Sequence, residues 1–354
     1  MRVPITGIGV IAPGAIGIAA FRELLASGRT AVAEVDRFDT SGLSARSAAL
    51  VRDFKARDFI PVMKMRRMNA LSRFAVAAAK LAIEDAGATL PPETGVAIGT
   101  AFGPVQTSVE YMQEYVEKGA SLAPPQLFAE SVANAPGSHI AIEWGLRGFN
   151  VTITQRESSA LAAAMYAATQ LVKGSAAAAL IGGVEEANEM LFSVLDRIGA
   201  LAHDGHPGLT LGEGSAVLVA GAGTRRPYGW LAGFGIARDT TAPISDWGSD
   251  SRSVVTAMQA ALDDAGVDRV DAVYASANGS PRGDEVERRA IRERFGDIEV
   301  VPTKHVFGEY AAGGALQLVA ALLATDEGRY RNVLVSSISA GGGIVCAVVS
   351  SEGG

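Results

Sequence analysis

The amino-acid sequence predicts an α/β protein built from two similar halves. Three observations lead to this prediction: an internal repeat, an alternation of strand and helix patterns, and an excess of glycine at strand ends and turns. The repeat pairs residues 72–87 (SRFAVAAAKLAIEDAG) with residues 251–266 (SRSVVTAMQAALDDAG) without a gap. Glycine contributes 41 of the 354 residues, a high share that is typical of densely packed α/β proteins with tight turns.

Strand and helix patterns alternate along the first half. Residues 4–11 form an apolar run typical of a strand, and residues 18–27 form a short helical pattern ended by glycine. A long amphipathic pattern predicts a helix over residues 66–86. The remaining predictions are, in order, a strand at 95–100, a helix at 107–118, a strand at 149–153, a helix at 158–173 and strands at 178–182 and 216–222.

The second half repeats this order of elements. Each copy of the repeat is followed by a strand, GVAIGT in the first half and DAVYAS in the second, and later by an Ala/Leu-rich helix and a glycine-flanked strand. We therefore expect a first half of residues 1–225 and a second half of residues 226–354. The first half is longer because it carries an insertion at about residues 102–148.

Composition excludes several classes of protein. The net charge of −7 and the absence of a long basic run argue against binding to nucleic acid or to anionic membranes. No apolar run reaches the roughly 18 residues of a spanning helix, and the first residues lack the features of a signal peptide. A single cysteine, Cys346, excludes a disulfide framework and is typical of the reducing cytoplasm.

Residues 7–12 (GIGVIA) fit a loose dinucleotide-binding pattern, but their context does not. Pro13 follows at once, and no strand ending in an acidic residue appears about 20 residues later. We interpret the segment as a turn at the end of a strand. We expect the protein to hold no cofactor and no metal ion.

A strand-to-helix turn at residues 155–160 places Glu157 at the start of a helix of small residues. Enzymes of the α/β class often place a nucleophile at such a turn, because a helix N-terminus stabilises an anion. A carboxylate is also a favourable first residue of a helix. The sequence alone favours this capping role over a catalytic one.

Motifs spread over nearly the whole chain resemble those of the β-ketoacyl synthase family, which has the thiolase fold. They are, in order, ITGIGVIAP, FDTSG, GLRGFN, IGGVEEA, LGEGSAVLV and TK. The resemblance implies a five-layer αβαβα body that dimerises through its first half. It also gives a reason for the duplication, since a thiolase fold consists of two similar halves.

The chemistry of that family depends on a cysteine nucleophile and two histidines, and the matching positions here hold other residues. By the resemblance, Glu157 occupies the nucleophile position, and Asn278 and Glu309 occupy the histidine positions. A carboxylate cannot form a thioester, and an ionised Glu309 accepts hydrogen bonds but donates none. Ala340 stands where the family has a gating phenylalanine. We therefore expect no catalytic residue and no condensation by this chain.

Two further contacts are expected around these positions. The Glu157 carboxylate should be held by backbone N–H groups of the glycine-rich hinge, including that of Ala340 or a neighbour. Lys304 and Glu287, which the resemblance marks as scaffold residues, should form a buried pair that stabilises the second half.

A ketosynthase relative without the catalytic residues resembles the chain-length factor, the KSβ subunit of type II polyketide synthases. The compact length favours the polyene, highly reducing branch of that group. The resemblance implies a heterodimer with an active ketosynthase and a tunnel for a chain carried by an acyl carrier protein. The residues matched to the tunnel wall are Phe102, Val105, Ser108 and Met112, and those expected to reach toward the partner are Leu127 and Phe128.

Two other readings of the sequence remain open. Glu157 and Glu309 could act as an acid/base pair of a hydrolase or cyclase, which requires two different pKa values and an open, wet pocket. The chain could also form an inactive homodimer. Whether Lys64, Arg66 and Arg67 contact an acidic carrier protein or form a solvated helix face is likewise open.

Overall fold

The computed structural model describes residues 2–353, with strands and helices alternating in the predicted order. The strands are β1 (Val3–Ala12), β2 (Ala15–Ile16), β3 (Ala33–Glu34), β4 (Ser47–Ala48), β5 (Gly95–Gly99), β6 (Asn150–Ile153), β7 (Ala179–Glu185), β8 (Gly214–Ala220), β9 (Gly229–Arg238), β10 (Ala272–Ala275), β11 (Glu299–Pro302), β12 (Asn332–Ile338) and β13 (Gly343–Ser350). The α-helices are α1 (Ile18–Ser27), α2 (Val62–Met65), α3 (Ala70–Ala86), α4 (Val105–Lys118), α5 (Pro125–Glu130), α6 (Ala135–Trp144), α7 (Ser159–Val172), α8 (Glu189–Arg197), α9 (Ser251–Ala265), α10 (Pro281–Phe295), α11 (Lys304–Phe307) and α12 (Ala311–Asp326).

The two halves share one strand topology. The main hydrogen-bonded path runs β11-β10-β12-β13-β9-β1-β8-β7-β5-β6, so each half contributes five strands in an equivalent order. In each half the first strand is antiparallel to the last, and the two strands farthest from it pair in parallel. A short antiparallel pairing between β1 and β9 joins the halves. The predicted duplicated α/β fold is confirmed, while the boundary at residues 225 and 226 stays a prediction.

Five layers stack through the molecule, as the fold class predicted. Helix α3 covers the sheet of the first half on one outer face, and α9 covers the sheet of the second half on the other. Helices α7 and α12 lie between the sheets. Helix α12 is buried along nearly its whole length, which is why its sequence is apolar or small on every face.

The glycine excess has a specific structural reason in the repeated helices. A Cβ built at Gly9 of β1 would lie 1.9 Å from the Ala78 carbonyl oxygen of α3. At Gly235 of β9, a Cβ would lie 2.0 Å from the Ala257 carbonyl oxygen of α9. Ala78 and Ala257 hold the same position in the sequence repeat, so both halves pack a helix onto a strand at the same close distance.

The segment between β5 and β6 holds three helices, α4 to α6, where the counterpart between β10 and β11 holds α10 alone; the three helices lie within the predicted insertion. The predicted helix at 66–86 begins only at Ala70, because the Asn69 side chain accepts the Ser72 N–H at 2.6 Å and caps the helix there.

Strand β6, at the far edge of the sheet, has no further strand on its outer side in the described residues. In residues 2–353, no helix combines the length and apolar character needed to cross a bilayer.

We expect Gly235→Ala to lower the free energy of unfolding by roughly 1–3 kcal/mol, because the new methyl group would overlap backbone atoms of α9. Gly42→Ala is the matched control, since no atom lies within 4 Å of a Cβ there and its backbone is not left-handed. Urea denaturation of both variants measures the difference. Equal stability of the two variants would contradict the close approach.

Candidate functional site

The turn between β6 and α7 holds Glu157 in the interior. A single 3₁₀ turn, Arg156–Ser158, precedes the helix, and Arg156 has a left-handed backbone with φ of 49°. Glu157 is 1% exposed, and its Oε2 accepts the backbone N–H of Ala340 at 3.1 Å, which is the contact predicted from the sequence. The Ser337 hydroxyl donates to the Glu157 carbonyl at 2.9 Å. These bonds join the turn to the end of β12.

Burial shifts the acidity of this carboxyl group. Removal from water is the main cause, and the negative charge of Glu309 the second, of a rise in the pKa of Glu157 to about 7. The backbone hydrogen bond and the positive charge of Lys304 act in the opposite direction. Glu157 therefore titrates near neutral pH instead of being a permanent anion.

Glu309 is the centre of a second buried cluster. Lys304 Nζ donates to its Oε2 at 2.6 Å, and Asn278 Nδ2 donates to the same oxygen at 2.8 Å. The other oxygen, Oε1, accepts the Tyr310 N–H at 2.8 Å. The side chains of Lys304 and Glu309 are each 1% exposed. The carboxylate is thus a fully paired acceptor and not a free base.

The expected pairing of Lys304 with Glu287 is wrong. Glu287 instead accepts the N–H groups of Ser276 and Ala277, at 2.8 and 3.0 Å, and the Ser336 hydroxyl. Burial raises the pKa of Glu287 to about 7. Sequence reasoning missed the pairing of Lys304 with Glu309, although one signal was present: Gly308, with a φ of 81°, ends the short helix α11 between these two residues.

The structure therefore brings together the positions that the sequence singled out. Glu157 is bonded to Ala340, Asn278 is bonded to Glu309, and the two carboxyl groups are close enough to influence each other. Cys346 lies elsewhere, fully buried on β13, where burial raises the pKa of its thiol. In the part of the chain that the structure describes, no group of three or more His, Cys, Asp or Glu side chains could hold a metal ion.

An apolar groove of about 700 Å³ runs along α4 and opens to the surface. The residues matched to a tunnel wall all line it, together with further residues of α4 and one of α8: Phe102, Val105, Ser108, Val109, Met112, Gln113, Val116, Glu117 and Met190. Leu127 and Phe128 lie on α5 and do not line this groove. Phe128 is exposed and packs against Tyr111, with 5.5 Å between the ring centroids. Their contact with a partner stays a prediction.

The structure explains Ser108 differently from the sequence, where a small side chain on an apolar face indicated room for a ligand. Its hydroxyl lies 3.0 Å from the Pro104 carbonyl oxygen and 3.1 Å from that of Ser131, both of which can accept its proton. Ser108 therefore links α4 to the segment after α5. Its polarity serves this hydrogen bond.

Phe102 separates the groove from the buried cluster. Its ring lines the groove and packs edge-on against Tyr310, with 4.8 Å between ring centroids and an interplanar angle of 80°. Tyr310 is 2% exposed and follows Glu309 directly in the chain. The cluster of acidic residues is therefore closed on this side by two aromatic rings.

Comparison with known proteins gives matches over most of the chain. The family profile described as "Beta-ketoacyl synthase, N-terminal domain" matches residues 1–222, and "Beta-ketoacyl synthase, C-terminal domain" matches residues 228–334. The 3-oxoacyl-(acyl-carrier-protein) synthase 2 of Synechocystis is 30% identical, over 92% of this chain and 86% of that protein. The enzyme with the same description from Coxiella burnetii is 29% identical over the same shares.

Among solved structures, the ishigamide ketosynthase/chain length factor has a TM-score of 0.90 and 25% sequence identity, and the match covers 99% of each chain.

We expect Glu157→Gln to change the pH dependence of stability. Because the native pKa is raised, the folded state keeps a proton that the unfolded state releases, so stability falls as pH rises from the unfolded pKa toward about 7. The variant lacks this loss. The difference in free energy of unfolding between the variant and the unmodified protein should shift in favour of the variant by about 1–3 kcal/mol when the pH is raised from 5 to 8. Urea denaturation at both pH values measures this shift. Glu93→Gln, at an exposed site, is the control. If Glu157→Gln changes the free energy of unfolding equally at pH 5 and pH 8, the raised pKa of Glu157 is contradicted.

We expect Lys304→Met to lower the free energy of unfolding by about 3 kcal/mol or more, because it leaves the Glu309 carboxylate buried without its cation. Adding Glu309→Gln should recover more than half of the loss, since it removes the unpaired charge and its single amide oxygen still accepts a hydrogen bond from Asn278 or from the Tyr310 N–H. Lys80→Met, at an exposed ion pair of 3.9 Å, should cost less than about 0.5 kcal/mol. Additive losses in the double variant would show that Lys304 and Glu309 do not interact.

Proposed function

The chain belongs to the β-ketoacyl synthase family, and from this premise we propose that it is the non-catalytic partner of an active ketosynthase. In this role it acts in the cytoplasm as a chain-length factor, and it forms part of the tunnel in which a chain attached to an acyl carrier protein grows. One observation carries the proposal: the carboxyl group of Glu157, at the position that the resemblance matches to the nucleophile, is buried and bonded to the Ala340 N–H.

The geometry around that position supports a loss of condensation chemistry. Condensation requires a thiolate that carries the acyl group and donors that stabilise the developing enolate. Glu157 cannot form the thioester, and its own oxygen takes up the backbone N–H that a substrate oxygen would need. The Asn278 amide, the remaining donor at a histidine position, is bonded to Glu309.

The acid/base alternative receives less support. A hydrolase or cyclase built on Glu157 and Glu309 requires both carboxyl groups to reach a substrate in a wet pocket. Both residues are 1% exposed, and Glu309 already accepts three hydrogen bonds, two of them at Oε2. Burial is the largest cause of the raised pKa of Glu157, so the raised pKa is not by itself a sign of acid/base catalysis.

A ketosynthase as partner is supported by the exposed surface of the first half. The outer edge of β6 is unpaired in the described residues, so its backbone can bond to another strand. Large apolar side chains are exposed in the adjoining insertion, namely Met112, Tyr115, Val116, Leu122 and Phe128. Exposed apolar side chains that share one groove, as Met112 and Val116 do, mark interaction sites. The similar structure is described as a ketosynthase together with a chain length factor.

We expect the purified chain to form no β-ketoacyl product from acyl- and malonyl-carrier proteins. Co-expression with its ketosynthase should give a heterodimer, seen as a single species by size-exclusion chromatography with light scattering, and elongation should depend on the catalytic cysteine of that partner. An interface of roughly 2,000 Å² or more is expected for an obligate pair. Turnover by this chain alone, or a stable homodimer that does not bind the ketosynthase, would contradict the proposal.

We expect Val105→Phe to shorten the product of the heterodimer, because the larger ring fills the groove beside α4. Val105 is the better position for this test, since Ser108→Phe would also break the hydrogen bond between α4 and the Ser131 carbonyl. Val172→Phe, at an exposed site on α7 outside the groove, is the matched control. Mass spectrometry of the products measures chain length. An unchanged distribution in an intact heterodimer would place the tunnel elsewhere.

A further inference from the structure

Arg156 is a half-buried cation that has no partner within residues 2–353. Its guanidinium makes no hydrogen bond and no ion pair with any of these residues, although the side chain is partly removed from water. The other half-buried arginines each donate at least one hydrogen bond from the guanidinium to the protein: Arg2, Arg22, Arg73, Arg225 and Arg294. Arg156 is therefore the exception among side chains of its kind.

Carboxyl groups lie near Arg156, but their hydrogen-bonding capacity is used elsewhere. Burial raises the pKa of both Glu157 and Tyr310, and the positive charge of Arg156 acts on both in the opposite direction, so the guanidinium is close to them. Glu157 accepts the Ala340 N–H, and Glu309 accepts three other donors. The part of the chain that the structure describes therefore supplies no counterion for Arg156.

The turn that carries Arg156 directly follows the open edge of the sheet. Strand β6 ends at Ile153, and each of its residues keeps some exposure, whereas every residue of β5, β7 and β8 is buried. The inner side of the turn is closed, since Ser158 and Ser159 are 0% exposed. A subunit bound along the outer edge of β6 therefore comes next to Arg156.

The backbone at Arg156 makes a long side chain costly at this position. Its φ of 49° lies in the left-handed region, which glycine adopts without strain and other residues do not. Within residues 2–353, Tyr310 is the one other residue besides glycine with a positive φ. An arginine held in this conformation, with a guanidinium that binds nothing in its own chain, is explained by an acceptor outside the chain.

We propose that Arg156 forms an ion pair with a carboxylate of the ketosynthase subunit, an inference that rests on the proposed function and names a residue of its interface. A guanidinium presents its N–H groups in a planar fork that matches the two oxygens of a carboxylate. When a partner covers the edge of β6, it removes the remaining water from Arg156. A cation buried without a counterion is strongly destabilising, so the partner's surface carries the negative charge.

The test compares how fast variants of the heterodimer dissociate, measured by subunit exchange with a fluorescently labelled ketosynthase. We expect Arg156→Gln to raise the dissociation rate constant about tenfold or more, and Arg156→Glu to raise it about tenfold further, because the new charge repels the carboxylate. Arg156→Lys keeps the charge and should have a smaller effect than Arg156→Gln. Arg269→Gln, exposed in the loop before β10, is the control and should change the rate less than about twofold.

The stability of this chain alone separates an interface role from a structural one. The urea midpoint of Arg156→Gln should equal that of the unmodified chain, and a lower midpoint would overturn the inference. Arg156→Gly, which fits the left-handed backbone, should accelerate dissociation as Arg156→Gln does.

Three results of the exchange experiment would count against the ion pair. Unchanged dissociation of Arg156→Gln and Arg156→Glu in an intact heterodimer overturns this inference and leaves the proposed function standing. Equal acceleration by both variants shows a neutral acceptor and overturns the assignment of a carboxylate. If the unmodified chain forms no heterodimer with its ketosynthase, the proposed function fails and this inference fails with it.

Discussion

The buried pair of Lys304 and Glu309 is the constraint on which the interior of this protein depends. An ammonium and a carboxylate, each 1% exposed and 2.6 Å apart, are tolerated only because further donors saturate the carboxylate. Asn278 and the Tyr310 N–H supply them, and Tyr310 adopts a left-handed backbone with φ of 106°. The pair thus fixes the turn after β10 and the turn before α12. Its two charges act in opposite directions on the pKa of Glu157, which is raised chiefly by burial.

The molecule has two regions of different chemistry, one with buried acidic groups and one with an exposed apolar surface. Around Glu157 the acidic groups are buried, hydrogen-bonded to the protein and closed to substrate. Beside α4 the surface is apolar and open. Phe102 and Tyr310 stand between the two regions. This separation fits a subunit that contributes a surface to a reaction while the reacting groups belong to another chain.

The resemblance of the two halves extends from sequence to packing. The repeat predicted two α/β units, and the strand order of each unit confirmed them. Equivalent glycines on β1 and β9 allow equivalent alanine-rich helices to contact the strand backbone directly. The exceptions are the helices between β5 and β6, and these line most of the groove and carry several of the exposed large apolar side chains. The shared scaffold therefore accounts for stability, and the insertion accounts for the surface that differs.

The sequence by itself determined the fold class, because helix periodicity, glycine positions and the internal repeat are local signals that packing preserves. It also determined that Glu157, Asn278 and Glu309 occupy the positions that the resemblance matches to the catalytic residues, so that no thiolate is present there. Tertiary structure decided that Lys304 pairs with Glu309 and not with Glu287, and that the Ser108 hydroxyl is used within the protein. Hydrogen-bond partners of buried groups depend on distances between turns that lie far apart in the chain, which no local pattern encodes.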